Sequence, residues 1–137
     1  MGVAARKIGA ELYTIKGVPE IIYELDQLGY TQRIASNIGT EEVKALAEKH
    51  PELFAKFKGG KTVTYVEGTP STKKPNPAYW EEYNAEFNPK GGKISFFVDD
   101  QLKNINGVKQ VSHFIPVHFK TAEQLRADLK KYGVPLA

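Results

Sequence analysis

The chain has 137 residues, with 19 Lys and Arg against 16 Asp and Glu for a net charge of +3, and it contains no cysteine. That length is one domain's worth, enough for a single hydrophobic core over residues 1–137. The missing cysteines exclude disulfides, a thiolate nucleophile and Cys-based zinc sites, and the scattered basic residues speak against a dedicated nucleic-acid face. No apolar run approaches a membrane span and nothing resembles a signal peptide, so the expectation is a cytoplasmic protein with no nucleic-acid and no membrane partner.

Residues 1–15 alternate weakly at Ile8, Ala10, Leu12 and Thr14, with Gly9 against a strand, and read as an arm or an edge strand. From Val18 the apolar residues recur at helical spacing through Ile21, Ile22, Leu25 and Leu28, which predicts a helix over about 19–28 that starts at Pro19 and stops at Gly29. Tyr30 to Ala35 reads as a short strand ending on Ser36, Asn37, Ile38 and Gly39. Thr40 is a candidate cap for a helix with Glu41 and Glu42 in its first turn and an inner stripe of Val43, Leu46 and Ala47. Pro51 interrupts it near His50, Leu53, Phe54 and Phe57 extend the stripe, and Gly59 with Gly60 breaks the chain. Lys61 to Val66 alternates as a third strand, and Glu67 to Pro77 is a loop with three prolines.

Pro77 can open the next helix, where Trp80, Tyr83 and Phe87 share a face and read as core rather than a base-stacking platform. Asn88 to Gly92 is a turn. Ile94, Phe96, Phe97 and Val98 then form a continuous apolar run, the pattern of a strand covered on both faces, which ends on Asp99 and Asp100. A helix from about Leu102 turns Ile105 and Val108 inward, His113 to Phe119 is the last strand, and Lys120 to Tyr132 is the closing helix. Thr121 and Gln124 match a capping box there, and Leu125, Leu129 and Tyr132 form the buried stripe. Strands alternating with helices predict an α/β fold, a mainly parallel sheet sandwiched between two helical layers.

In such a sheet, ligands bind beyond the carboxyl ends of the strands. Ser36 follows one predicted strand, Lys74 lies in the loop after the next, and Asp99 and Asp100 end the apolar run. A hydroxyl with neighbouring N–H groups can hold a phosphoryl oxygen, a lysine can offset developing negative charge, and paired carboxylates can hold magnesium. Each has an ordinary alternative. Ser36 with Asn37 forms a turn, Lys74 is a solvated loop lysine, and the acidic pair caps the following helix. His50, His113 and His118 have no ligand-like spacing and receive no role; Thr64 and Thr69 could contact a substrate, but nothing singles them out.

Four segments in order resemble the haloacid dehalogenase-like (HAD) superfamily. GVPEIIYELDQLGYTQRIASN is similar to the helix and strand before that family's second motif, KKPNPAYW to its third, FFVDDQLKNINGV to its fourth, and HFKTAEQLRADLKKYGV to its closing strand and helix. The resemblance implies a Rossmann-like three-layer core and a parent hydrolase acting through an aspartyl intermediate. A phosphate ester fits the acidic pair better than a carbon-halogen bond. It further implies that Ser36 and Lys74 are catalytic, that Ser36, Asn37 and Lys74 bind phosphate, and that Asp99 and Asp100 hold magnesium.

The chain departs from the family in one respect. Its aspartates are Asp26, Asp99, Asp100 and Asp128, so the D-x-D pair that supplies the nucleophile is missing, and Asp26 reads as a surface charge on the first helix. By resemblance, the strand that carries the pair is the central one, between the strand ending at Ser36 and the one ending at Asp99. The expectation is a truncated HAD-like core, inactive alone and marginal or self-associating, whose parent takes a small phosphorylated substrate chosen by an inserted cap. The alternative is a non-catalytic binding module on a degenerate scaffold, completed by a partner that fills the sheet.

Overall fold

The computed structural model describes residues 15–37, 39–62 and 73–137. Most of the predicted arm, Thr64, Thr69, the end of the third strand and most of the proline-containing loop lie outside these residues. In chain order the elements are α1 (Val18–Gln27), β1 (Gln32–Ser36), α2 (Thr40–Lys49), α3 (Pro51–Phe54), β2 (Phe57–Thr62), α4 (Pro77–Phe87), β3 (Ser95–Asp99), α5 (Leu102–Val108), β4 (Phe114–His118) and α6 (Ala122–Lys131). The fold is therefore α/β, with six helices and two parallel two-stranded sheets among the described residues, β1 beside β2 and β3 beside β4. No helix among them is long and apolar enough to cross a membrane. The chain divides into two compact units, Met1–Thr64 together with Thr121–Ala137, and Tyr65–Lys120.

The first unit is closed by its own discontinuity. α1 buries Val18, Ile21 and Ile22, and α6 buries Leu125 and Leu129, so each helix has the apolar stripe its spacing predicts. Gly17 precedes α1 at φ 93°, and a Cβ there would lie 2.8 Å from that of Ala122, so the bare glycine lets the start of α6 approach. Glu24 then ties the chain end to α1: its Oε2 accepts from Arg126 Nη2 at 2.5 Å and its Oε1 from the Ala137 N–H at 3.0 Å. The Arg126 side chain, foremost, and that backbone N–H hold the half-buried Glu24 carboxyl below the usual range. Asp26 pairs with Lys56 at 3.3 Å on the partly exposed side of α1.

Three expectations for this unit are corrected. β2 begins at Phe57, not Lys61, and runs through the glycine pair that read as a break. Gly60 sits opposite Ile34, where an added Cβ would meet the Ile34 carbonyl at 2.7 Å, so the glycine permits close pairing of the strands. Gly39, in extended conformation, is the cap residue of α2, with Thr40 already helical. Tyr132 is half exposed, and Val134 and Leu136 beyond the helix end are the buried residues instead.

In the second unit α4 is capped by Asn76, whose side chain accepts the Ala78 N–H at 2.9 Å, with Pro77 at the first helical position. Trp80 is buried, and so is Tyr79, which helical spacing from Trp80 did not select. Tyr83 and Phe87 stay half-buried, and Tyr83 also stacks at an angle on Phe114. β3 is not covered on both faces as its apolar run predicts. Phe97 and Asp99 are buried, whereas Ser95, Phe96 and Val98 are half-buried and Ile94 is 61% exposed outside the strand. The buried side therefore alternates, as on a sheet packed from one face.

α5 turns Ile105 and Val108 inward as expected, and with them Asn104 and Gly107. A Cβ on Gly107 would collide with the Pro75 carbonyl, lie 2.9 Å from Pro75 Cβ and 3.0 Å from Trp80 Cη2. Gly107→Ala is expected to cost about 1–3 kcal/mol, measured by urea unfolding, because the colliding atom belongs to backbone and cannot swing aside.

Candidate functional site

Lys74 and Asp99 meet in the second unit. Lys74 Nζ donates to Asp99 Oδ2 at 2.8 Å, with Lys74 8% and Asp99 7% exposed, so this is a buried charge pair. The turn that presents Lys74 closes through the Asn76 N–H to the Lys73 carbonyl at 2.9 Å, and Asn76 then caps α4. The Lys74–Pro75 peptide bond is cis. The ammonium also stands over the rings of Phe97, at 5.5 Å, and Tyr79, at 6.0 Å. Their π faces favour a cation that has lost water.

Asp99 receives three donors from three places in the chain. Besides Lys74, Oδ2 accepts from Asn104 Nδ2 at 3.2 Å, and Oδ1 accepts the Gln101 N–H at 2.8 Å. The last contact is an aspartate turn onto the N–H two residues on and not a helix cap, since Gln101 is the cap residue of α5 and no side chain caps it; the capping expected of the acidic pair is thus corrected. Asn104 is 3% exposed, and its Oδ1 is buried without a hydrogen-bond partner among the described residues, as is Trp80 Nε1.

Asp100 is half-buried and differs from its neighbour. Desolvation, foremost, together with the adjacent Asp99 charge and a hydrogen bond to Asp99, raises its carboxyl above the usual range, against weaker lowering by its own backbone N–H and by Lys74. Its carbonyl oxygen lies 3.0 Å from His118 Nε2 on β4.

Of the residues predicted from sequence, Lys74 and Asp99 are brought into contact, with Asp100 next to them in the chain. Ser36 and Asn37 lie in the first unit, half-buried at the end of β1, each with partners of its own. Asn104 and His118 escaped the sequence reading. Asn104 had a signal, since it lies four residues before Val108 on the inward stripe of α5, where a polar residue needs a partner. His118 had none, because its proximity to Asp100 comes from strand register.

No group of three or more His, Asp or Glu among the described residues could hold a metal ion. Magnesium needs less from a protein, one or two carboxylates with water and phosphate oxygens completing the octahedron. The Asp100 carboxylate fits that donor class, whereas Asp99 is already held by Lys74, Asn104 and the Gln101 N–H. Comparison with family models, curated proteins and solved structures finds no match for the chain.

Two outcomes test these assignments. Lys74→Met leaves Asp99 buried without its cation and is expected to cost about 3–5 kcal/mol; the Lys74→Met, Asp99→Asn double variant should lose less than the two single losses combined, by urea unfolding. Asp100 carries a raised proton affinity in the folded chain, so it stabilises the fold below the ordinary Asp value of 3.8 and that contribution is lost as pH rises through its folded value. Asp100→Asn should accordingly raise the melting temperature at pH 7, with the gain closing as pH falls below that ordinary value.

Proposed function

We propose that this chain is the core of a HAD-like hydrolase on a Rossmann-like scaffold, whose parent is a magnesium-dependent phosphatase with an aspartyl-phosphate intermediate. The observation that carries this reading is the buried Lys74–Asp99 pair at 2.8 Å, at the carboxyl end of a parallel strand. A lysine of ordinary structural use would keep its ammonium in water. Here the charge is held in place by Asp99 and two aromatic rings, ready to oppose negative charge gathering on a carboxylate nucleophile and a phosphoryl group.

In this reading Asp99 works through Lys74, fixing the ammonium in direction and charge, and Asp100 is the principal metal ligand with Asp99 beside it. Magnesium, when bound, supplies charge neutralisation and polarisation of a phosphoryl oxygen. Ser36 and Asn37 keep the phosphate-binding role that the resemblance gives them. Since the sequence contains no D-x-D pair, the chain alone binds without turning over.

Isothermal titration of the purified chain with magnesium and then inorganic phosphate is expected to show weak, magnesium-dependent phosphate binding. An assay with a generic aryl phosphate should show no turnover. Absence of any magnesium or phosphate binding defeats the half-site, and robust magnesium-dependent hydrolysis defeats the claim that the chain is inactive.

A further inference from the structure

We infer that His118 is a positioning residue that anchors the turn carrying the Asp100 carboxylate; its bearing on metal binding rests on the reading of Asp100 as a ligand. β3 and β4 run parallel with Asp99 opposite His118, and the ladder ends there with the Phe119 N–H donating to the Asp99 carbonyl at 2.8 Å. The next carbonyl, that of Asp100, lies beyond the last ladder bond. A carbonyl at a strand end ordinarily turns to water. Here His118 Nε2 takes it at 3.0 Å.

A carbonyl oxygen can only accept, so Nε2 must carry the proton, and a neutral ring is fixed as the Nε2–H tautomer with Nδ1 as its acceptor. His118, the last residue of β4, and Phe119 just after it thus hold consecutive carbonyls of the 99–100 segment, His118 by its side chain and Phe119 by its backbone. The chain then turns, and the Gln101 N–H returns to Asp99 Oδ1 at 2.8 Å. These three bonds fix the backbone on both sides of the Asp100 Cα. Its side chain consequently leaves a held turn and not a loose strand end. Partners one step removed from a metal act this way, by orienting the ligand without touching the ion.

His118→Phe keeps a planar ring and removes the donor; His118→Gln places an amide N–H where Nε2 was. Hydrogen exchange of the Gln101 amide reads the turn directly, and titration with magnesium alone reads the carboxylate. In His118→Phe both should change by roughly tenfold, faster exchange and weaker magnesium binding, and His118→Gln should restore both to within about threefold of the parent. Unchanged Gln101 exchange in His118→Phe overturns the inference, and so does faster exchange with unchanged magnesium affinity. Faster exchange in a chain whose parent binds no magnesium upholds the anchor and overturns the metal reading of Asp100 instead. If His118→Phe does not fold, the parent decides by long-range proton-nitrogen NMR of the imidazole, where an Nδ1–H tautomer overturns the inference and Nε2–H supports it.

Discussion

The second unit depends on a charge pair almost wholly withdrawn from water. Taking an ammonium and a carboxylate out of water costs several kcal/mol per ion, and their attraction recovers this only with good geometry and full hydrogen bonding. Asp99 meets that condition through its donors from Lys74, Asn104 and the Gln101 backbone, and Lys74 through Asp99 and the rings of Phe97 and Tyr79. The residues involved come from a turn, a strand end and two helices. Satisfying one carboxylate therefore fixes how α4, β3 and α5 meet, and the close fit of Gly107 against Pro75 and Trp80 follows from that approach.

Among the described residues the first unit has no comparable centre. Its strand β1 is half-buried at every position, and Val43, Leu46 and Ala47 of α2 are half-buried too, so its sheet and α2 lack the tight burial seen around Trp80. What holds it is the return of the chain end, with α6 against α1 and Glu24 gripping both Arg126 and the Ala137 backbone. Such a unit requires its carboxyl-terminal segment in a way that local periodicity cannot express. A two-stranded parallel sheet is a weak element by itself.

Where spacing governs, the sequence was informative: the stripes of α1, α5 and α6, the Thr121 cap that accepts the Gln124 N–H, and the strand ends at Ser36 and Asp99 all follow from short-range pattern. Strand order placed Lys74 and Asp99 at one edge of the sheet, but their contact was not legible, because it depends on a turn 25 residues away closing onto the strand end. Misreadings arose where a neighbour decided. The glycine pair read as a break because its purpose, closeness to Ile34, belongs to another strand. The run Ile94 to Val98 read as doubly covered because composition does not reveal that one face is buried and the other only half-buried. His118 was passed over because its partner is 18 residues away and set by register.

Asp99 and Asp100 show most clearly what the fold adds to composition. As letters they are equivalent, and as neighbours on one strand end they repel. Asp99 is the last residue of β3 and is buried against Lys74, whereas Asp100 lies just past the strand with its carboxyl still within reach of Asp99. One carboxylate thereby gains a cation and two further donors, while the other is left partly desolvated beside a fixed negative charge and binds its proton more tightly. The difference between them needs no difference in residue type. It follows from one buried lysine and from the donors that Asp99 alone gathers, and it leaves Asp99 committed to the fold while Asp100 keeps its proton more tightly.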